Sequence, residues 1–296
     1  MTLSWLQPLQ LQLGQLALSQ QLHHALLFTG AVGVGKHQVA RHLAQQLLCQ
    51  QPHQDAACGH CKSCLLVKAG HHPDLLQLHS DSSLGVDAVR ELSHFMQGSP
   101  QQGGARVVLL PQAHKMTEAA ANALLKTLEE PGDNSFLLLQ TAHEQLLLPT
   151  ILSRCQRWLV PGTTDAAAHQ WLTQHSNRAV PPYLLAYCAG APLQALQMLE
   201  SGESDQIDML LQLLPKAIHG DYPLAELVKQ LEALPQTSSL FSWFIRQQLW
   251  QQPVLAANPQ LFARLAQWCR DEQQILGQNK TLALTAFLLE LPRLLR

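Results

Sequence analysis

The sequence predicts an α/β core built on a mostly parallel sheet, followed by a helical C-terminal half. Three observations predict it. Short apolar runs alternate with helical patterns over about the first 160 residues, the order that builds a parallel sheet with flanking helices. A glycine loop, Gly30-x4-Gly35-Lys36, joins the first apolar run to the first long helical pattern. No strand pattern returns after Pro161-Gly162-Thr163-Thr164.

Taken in order, Ser4 to Gln21 carries leucine at helical spacing and predicts an N-terminal helix. His24 to Phe28 predicts the first strand. Val39, Ala40, Leu43, Leu47 and Leu48 recur at three and four residues and predict a helix over 36–49. A cysteine-rich insert follows. Asp74 to Leu78 predicts a strand, Val86 to Met96 a helix, and Gly98 to Gly104 a turn-rich break. Val107 to Leu110 reads as a buried strand. Ala113 to Glu130 reads as one helix, with Pro131-Gly132 just past its end. Ser135 to Thr141 predicts another strand, Leu147 to Arg154 a short helix, and Arg157 to Val160 the last strand. Beyond Thr164, Ala166 to His175, Pro181 to Ala189 and Leu193 to Leu199 predict three short helices. Ser201-Gly202-Glu203-Ser204 suggests a linker, and the rest is leucine-rich helix. The expected organisation is a core over 1–160 with an insert at 49–64, a small helical domain over 161–204, and a helical domain over 205–296.

Composition narrows the function classes. Of 296 residues, 47% are hydrophobic and 14% charged, and the formal net charge is −2. A chain-wide basic footprint for nucleic acid is therefore absent, while a local basic patch stays open. No apolar run reaches the length that spans a bilayer. Met1 to Trp5 lacks the basic region of a signal peptide, so the expected location is cytoplasmic. Seven cysteines in a cytoplasmic chain point to thiols or a metal rather than disulfides.

Two motifs carry chemistry. In the first, glycines free the backbone N–H groups of Gly30 to Lys36 to close around phosphate oxygens. The helix dipole favours the anion, and Lys36 reaches the outer phosphates. The candidate phosphate-binding residues are Gly30, Gly33, Gly35 and Lys36. A motor site needs Ser or Thr next, to hold magnesium, and a carboxylate after a core strand. Here His37 follows the lysine, and Pro111-Gln112 follows Val107 to Leu110. Hydrolysis of ATP is therefore not expected. Two readings of the loop stand side by side, nucleotide binding and a glycine turn that only packs helix on strand. Glu129 and Glu130 read as a solvated helix terminus.

The second motif is Cys49-x8-Cys58-x2-Cys61-x2-Cys64. Four thiolates at this spacing close a tetrahedral site, zinc by preference, with no position left for water. Such zinc is structural. One of His53, His60, His71 or His72 could replace Cys49 as a ligand.

Several stretches together resemble a known family. The glycine loop, the four-cysteine insert, His72-Pro73-Asp74-Leu75, Gly85 to Leu92, Ala119 to Pro131 and Ser153-Arg154-Cys155 occur in this order in bacterial AAA+ clamp-loader subunits of DNA polymerase III. The resemblance covers about residues 20–160. It implies an AAA+ core, a helical lid and a helical oligomerisation collar. It also implies a role in a hetero-pentamer with motor subunits of the gamma/tau type and a delta-type subunit, which loads a sliding clamp on primed DNA. At the metal-holding positions the sequence departs from the motor pattern, as the stationary subunits of that family do. The resemblance makes Arg154 an arginine finger acting in trans on a neighbour's ATP, in a chain with no ATPase activity of its own within a DNA polymerase holoenzyme. Gly190-Ala191-Pro192 is followed by Leu193 where the family often carries a sensing arginine. Two alternatives stand beside this reading: an active AAA+ ATPase of the motor type, and a zinc-dependent nucleic-acid-binding module.

Overall fold

A computed structural model describes residues 3–78, 83–234, 237–274 and 279–295. Met1 and Thr2, part of the N-terminal stretch read above, lie outside the described residues. The chain forms two compact units, one of residues 1–175 with 188–196, the other of residues 176–187 with 197–296. No described helix is long and apolar enough to cross a membrane.

In the first unit a short 3-10 turn, Ser4–Leu6, leads into α1 (Gln7–Leu18). Then come β1 (Ala25–Thr29), α2 (Lys36–Leu48), α3 (Lys62–Ala69), β2 (Leu75–Gln77), α4 (Val86–Gln97) and β3 (Arg106–Leu110). A 3-10 turn at Ala113–Lys115 precedes α5 (Glu118–Glu129), β4 (Ser135–Thr141), α6 (Pro149–Leu152), β5 (Gln156–Leu159) and α7 (Ala166–His175). The five strands make one sheet in the order β2-β3-β4-β1-β5, every pair parallel. The expected α/β class holds. Leu27 pairs with Leu139 on one side and Arg157 on the other. β1 is buried along its whole length, which is why it reads as a continuous apolar run rather than an alternating one.

Each face of the sheet takes apolar helix stripes. Val39, Ala40, Leu43 and Ala44 are the buried face of α2. Val89, Leu92 and Met96 of α4 pack with Ala120, Leu124 and Leu128 of α5 over Val108, Leu137 and Leu139. The valine, leucine and methionine side chains among them each contribute about 1.5–3 kcal/mol on burial.

One expected helix is split. The Ala113–Glu130 pattern breaks at Met116, whose backbone is extended and bridges Leu84. Leu84 N–H donates to Lys115 O at 2.9 Å, and Thr117 N–H donates to Leu84 O at 3.0 Å. Thr117 then caps α5, its Oγ1 accepting from Ala120 N–H at 3.2 Å. A side-chain cap and a strand-like bridge together override helical periodicity. The expected helix over 147–154 shortens to Pro149–Leu152, leaving Arg154 just beyond it.

The second unit contains α8 (Leu184–Tyr187), the end of α9 (Pro192–Ser201), α10 (Glu203–His219), α11 (Leu224–Glu232), α12 (Ser238–Gln251), α13 (Pro259–Gln274) and α14 (Lys280–Leu294). Gly202, at φ 78°, is the single residue between α9 and α10, where the sequence suggests a linker. Phe241, Trp268 and Phe287 stack at 4.7–5.6 Å in its core. Glu272 accepts from Thr237 N–H at 2.6 Å and Ser238 N–H at 2.9 Å, capping the start of α12. Burial opposes its charge, but those hydrogen bonds outweigh it and hold the carboxyl below its ordinary value.

Candidate functional site

The parallel sheet ends its strands at one edge, and the loops beyond the carboxyl ends form the usual ligand crevice of such folds. A cavity of about 380 Å³ lies there. Its wall includes Gly33, Gly35 and Lys36 from the loop after β1, Pro111 and Gln112 after β3, and Thr141 and His143 at the end of β4. Of the predicted phosphate-binding residues, Gly33, Gly35 and Lys36 line the cavity, while Gly30 stands behind it with its carbonyl on Lys36. Gly30, Gly33 and Gly35 have φ of 138°, 79° and 111°. A Cβ at Gly30 would sit 2.4 Å from Val160 O, and one at Gly33 2.5 Å from Gln194 N. Both positions therefore exclude a side chain by backbone conformation and by space.

Lys36 Nζ donates to Gly30 O and Ala31 O, each at 2.8 Å. Burial brings its ammonium down to about 8. The partly desolvated ammonium is thus held by two carbonyls of the loop itself. His37 lines the same cavity. So do residues that the sequence reading passed over. His114 Nδ1 lies 3.0 Å from Thr141 Oγ1, and the His114 and His143 rings meet edge to face at 4.9 Å. Burial, with His143, Lys115 and Lys36 nearby, pushes the His114 imidazole below its ordinary value. The available signal was position: Gln140 and Thr141 end a buried core strand and Ala142 and His143 follow it, where such folds place ligand contacts. The segment before α1 also touches the loop. Trp5 Nε1 donates to Val34 O at 3.1 Å, and Leu6 packs against Gly35.

Arg154 projects from the end of α6. Its Nε and Nη2 contact Glu129 Oε1 at 2.8 and 2.5 Å, and Nη1 donates to Thr150 O at 3.1 Å. The side chain of Arg154 is 35% exposed and that of Glu129 51%. An ion pair this exposed is worth at most about 1 kcal/mol, so a stronger anion from outside could displace it. Glu129 is at the exposed end of α5, as expected for a solvated helix terminus.

The cysteine insert converges as its spacing predicts. The sulfurs of Cys49, Cys58, Cys61 and Cys64 all lie within 4.8 Å of one another. Cys49–Cys61 and Cys58–Cys64 are each 3.9 Å apart. Four sulfurs set tetrahedrally about 2.3 Å from one ion would be separated by about 3.8 Å, so the set fits a metal. Backbone N–H groups converge on three of the sulfurs: Cys58 on Cys49 at 3.2 Å, Cys61 on Cys58 at 3.4 Å, and Cys64 on Cys61 at 3.4 Å. Such bonds favour thiolate, the form that binds metal. Burial pushes Cys64 up to about 12. At Cys61, burial is outweighed by N–H groups of Cys64 and Gln50, and the thiol falls to about 6. Cys49 takes its place beside the other three. Of the histidines considered, His60 Nδ1 is paired with Cys58 O at 2.8 Å, and His72 Nδ1 accepts from Asp74 N–H at 3.1 Å.

Asp74, fully buried, is both the expected start of a strand and part of the His72-Pro73-Asp74-Leu75 motif, and it lies one residue before β2. It accepts from Gln101 N–H at 2.7 Å and Gln102 N–H at 2.9 Å, and so ties down the turn-rich break before β3.

Comparison with known sequences gives consistent results. The profile of the family described as DNA polymerase III, delta subunit, matches residues 7–162. A DNA polymerase III subunit delta' of Pseudomonas aeruginosa is 39% identical over 250 residues, covering 81% of this chain and 74% of that protein. The corresponding subunit of Yersinia pestis is 36% identical over 302 residues, covering 90% and 88%. DNA polymerase III subunit tau of Escherichia coli is 40% identical over 135 residues, covering 46% of this chain and 21% of that protein.

Proposed function

This chain belongs to the DNA polymerase III delta-subunit family, its matched relatives including delta' subunits, and on that premise we propose that it serves as the stationary subunit of a clamp loader. It would assemble with motor subunits of the gamma/tau type and a delta-type subunit, and the ring would place a sliding clamp on primed DNA. It would not hydrolyse ATP. One observation carries this reading: the phosphate loop keeps its geometry, yet the cavity wall contains no carboxylate among the described residues and has His37 where magnesium needs a hydroxyl. Phosphoryl transfer depends on the metal those groups hold.

Arg154 would act on the neighbour's ATP. Its guanidinium, partly exposed, is held by Glu129, Thr150 O and Ser153 Oγ, and a γ-phosphate would outcompete a solvated carboxylate for the fork. In the family, motor subunits are the source of that ATP. Residues 161–204 would form the lid and 205–296 the collar. Trp250 and Val254, 79% and 85% exposed, and Leu282 and Leu289, 67% and 60% exposed, offer apolar surface for packing against sister subunits.

Zinc is the metal we assign to Cys49, Cys58, Cys61 and Cys64. Bound there, it would crosslink the insert and supply no catalysis, because all four ligands are protein.

Reconstitution tests the reading. The ring assembled with this chain should hydrolyse ATP in response to clamp and primed DNA, and the chain alone should not. Magnesium-dependent turnover by the purified chain, abolished by Lys36→Ala, would overturn it in favour of an active ATPase. Salt-sensitive DNA binding by the isolated chain, lost on chelation, would favour a zinc-dependent nucleic-acid module instead.

A further inference from the structure

We propose that the cavity at the phosphate loop takes a diphosphate group without a metal ion, held by Lys36 and Gln140 with the imidazoles of His37, His114 and His143 in the place of magnesium. The proposal deepens the reading above and rests on its loss of the magnesium contacts.

The wall of the cavity is one-sided. It contains a lysine, three histidines and a glycine loop at the start of the thirteen-residue helix α2, and no aspartate or glutamate among the described residues. A hydrated cation would find few acceptors here, whereas phosphate oxygens would find donors. Gln140 supplies the independent sign of a ligand. It lines the cavity, is 4% exposed, and its Nε2 has no hydrogen-bond partner among the described residues. A buried amide donor is seldom left unmatched. Among the described residues Lys36 Nζ donates to the two loop carbonyls, and an anion in the cavity would compete with them for it.

The charges that bear on His114 are of one sign. Lys36, Lys115 and His143 bear on His114. Glu144, the nearest acidic group in sequence, is engaged by Arg157 at 2.8 Å. Free of ligand, burial and these neighbours disfavour the imidazolium of His114. A bound diphosphate reverses that preference, so binding draws in protons and tightens as pH falls.

Calorimetric titration of the full chain in magnesium-free buffer tests this, with inorganic pyrophosphate in one arm and ADP in the other. Each arm is run at about pH 6 and about pH 8, either side of the histidine range. Saturable binding is expected without metal, at least about fivefold tighter at the lower pH and accompanied by proton uptake. Lys36→Ala should weaken it by about tenfold or more, and Gln140→Leu several-fold. Equal affinity in the two arms assigns the diphosphate alone, and tighter ADP assigns a nucleotide. Gln140→Glu, similar in shape and opposite in effect on an anion, covers the case in which Lys36→Ala unfolds. The proposal is overturned if neither ligand saturates at millimolar concentration, if binding needs added magnesium, or if neither Gln140 variant changes it. Ring assembly and the Arg154 readout do not pass through this cavity, so their failure and this one are separable.

Discussion

The phosphate loop and the cysteine insert flank the same helix, α2, and hold opposite balances of shape and chemistry. The loop is backed by core: β1 is buried throughout, α2 turns Val39, Ala40, Leu43 and Ala44 inward, and two glycines meet backbone that no side chain could approach. Its shape would survive the loss of every ligand. Its chemistry is incomplete, with His37 and Pro111-Gln112 where a motor holds magnesium. The insert is the reverse. Around its ligands α3 buries only Ser63 and Val67, yet the four sulfurs converge to metal-binding distances. A fold can therefore keep a site's geometry without its reaction, because hydrophobic packing maintains the geometry. It cannot keep a core-poor loop without the bonds that close it.

Removing the metal should separate the two regions most sharply. Zinc in small modules contributes on the order of 10 kcal/mol at neutral pH. Cys58→Ser with Cys61→Ser should abolish stoichiometric metal and leave residues 50–61 open to proteolysis, while the sheet keeps its far-ultraviolet signal. Metal analysis and limited proteolysis check both halves. Collapse of the whole first unit would mean that the insert supports the loop, and the contrast would fail.

Arg154→Ala comes next in size. Arginine fingers are worth about 10³-fold or more in turnover, roughly 4 kcal/mol. Steady-state ATPase of the reconstituted ring should fall by about that factor with assembly intact. Because the Glu129 pair is exposed, the stability of the variant chain should change by no more than about 0.5 kcal/mol in urea. Unchanged turnover would remove the finger role and leave Arg154 as a surface ion pair.

Lys36→Met should move stability in the favourable direction. The folded pKa of Lys36, about 8, lies below its ordinary value near 10.5. The charged form is therefore penalised in the fold. That penalty is complete below about pH 8 and is lifted as pH rises from about 8 to 10.5, where the unfolded lysine also loses its proton. Denaturant titrations should show the variant more stable at pH 7 by about 1–2 kcal/mol, allowing for partial exposure, with the gap closing toward pH 10. A gap of that size at pH 7 would mean that the fold keeps a half-buried lysine at a cost, as a retained anion site does and a packing turn need not. A variant no more stable than the parent would favour the packing turn.

What the sequence made legible follows the same division. The strands and α2 were readable because burial on both faces and helical spacing leave strong patterns, and the four cysteines because spacing alone nearly determines their geometry. The wall at the end of β4 left only a positional signal. Gln140, Thr141 and His143 look like an ordinary strand end until the sheet order brings them opposite the glycine loop. The hydrogen bonds of Asp74 left no signal, since its partners are backbone N–H groups 27 and 28 residues away. The pairing of Arg154 with Glu129 joins two motifs whose separation, 25 residues, has no periodic signature.

Thr117 offers the finest test, because it sits where local rules overrode periodicity. The chain leaves β3 through Gln112, at φ 53°, makes one 3-10 turn that presents His114, and extends at Met116 to meet Leu84. Thr117 then restarts the helix by capping Ala120 N–H. Thr117→Ala removes the cap and should cost about 1 kcal/mol. The split between turn and helix should persist, because the Leu84 bridge uses backbone groups only. His114 would then keep its place, and pyrophosphate affinity should be unchanged while the urea midpoint falls. If the cavity is instead as poorly backed as the insert, the turn will merge into α5, His114 will rotate away from Thr141, and affinity will fall with stability.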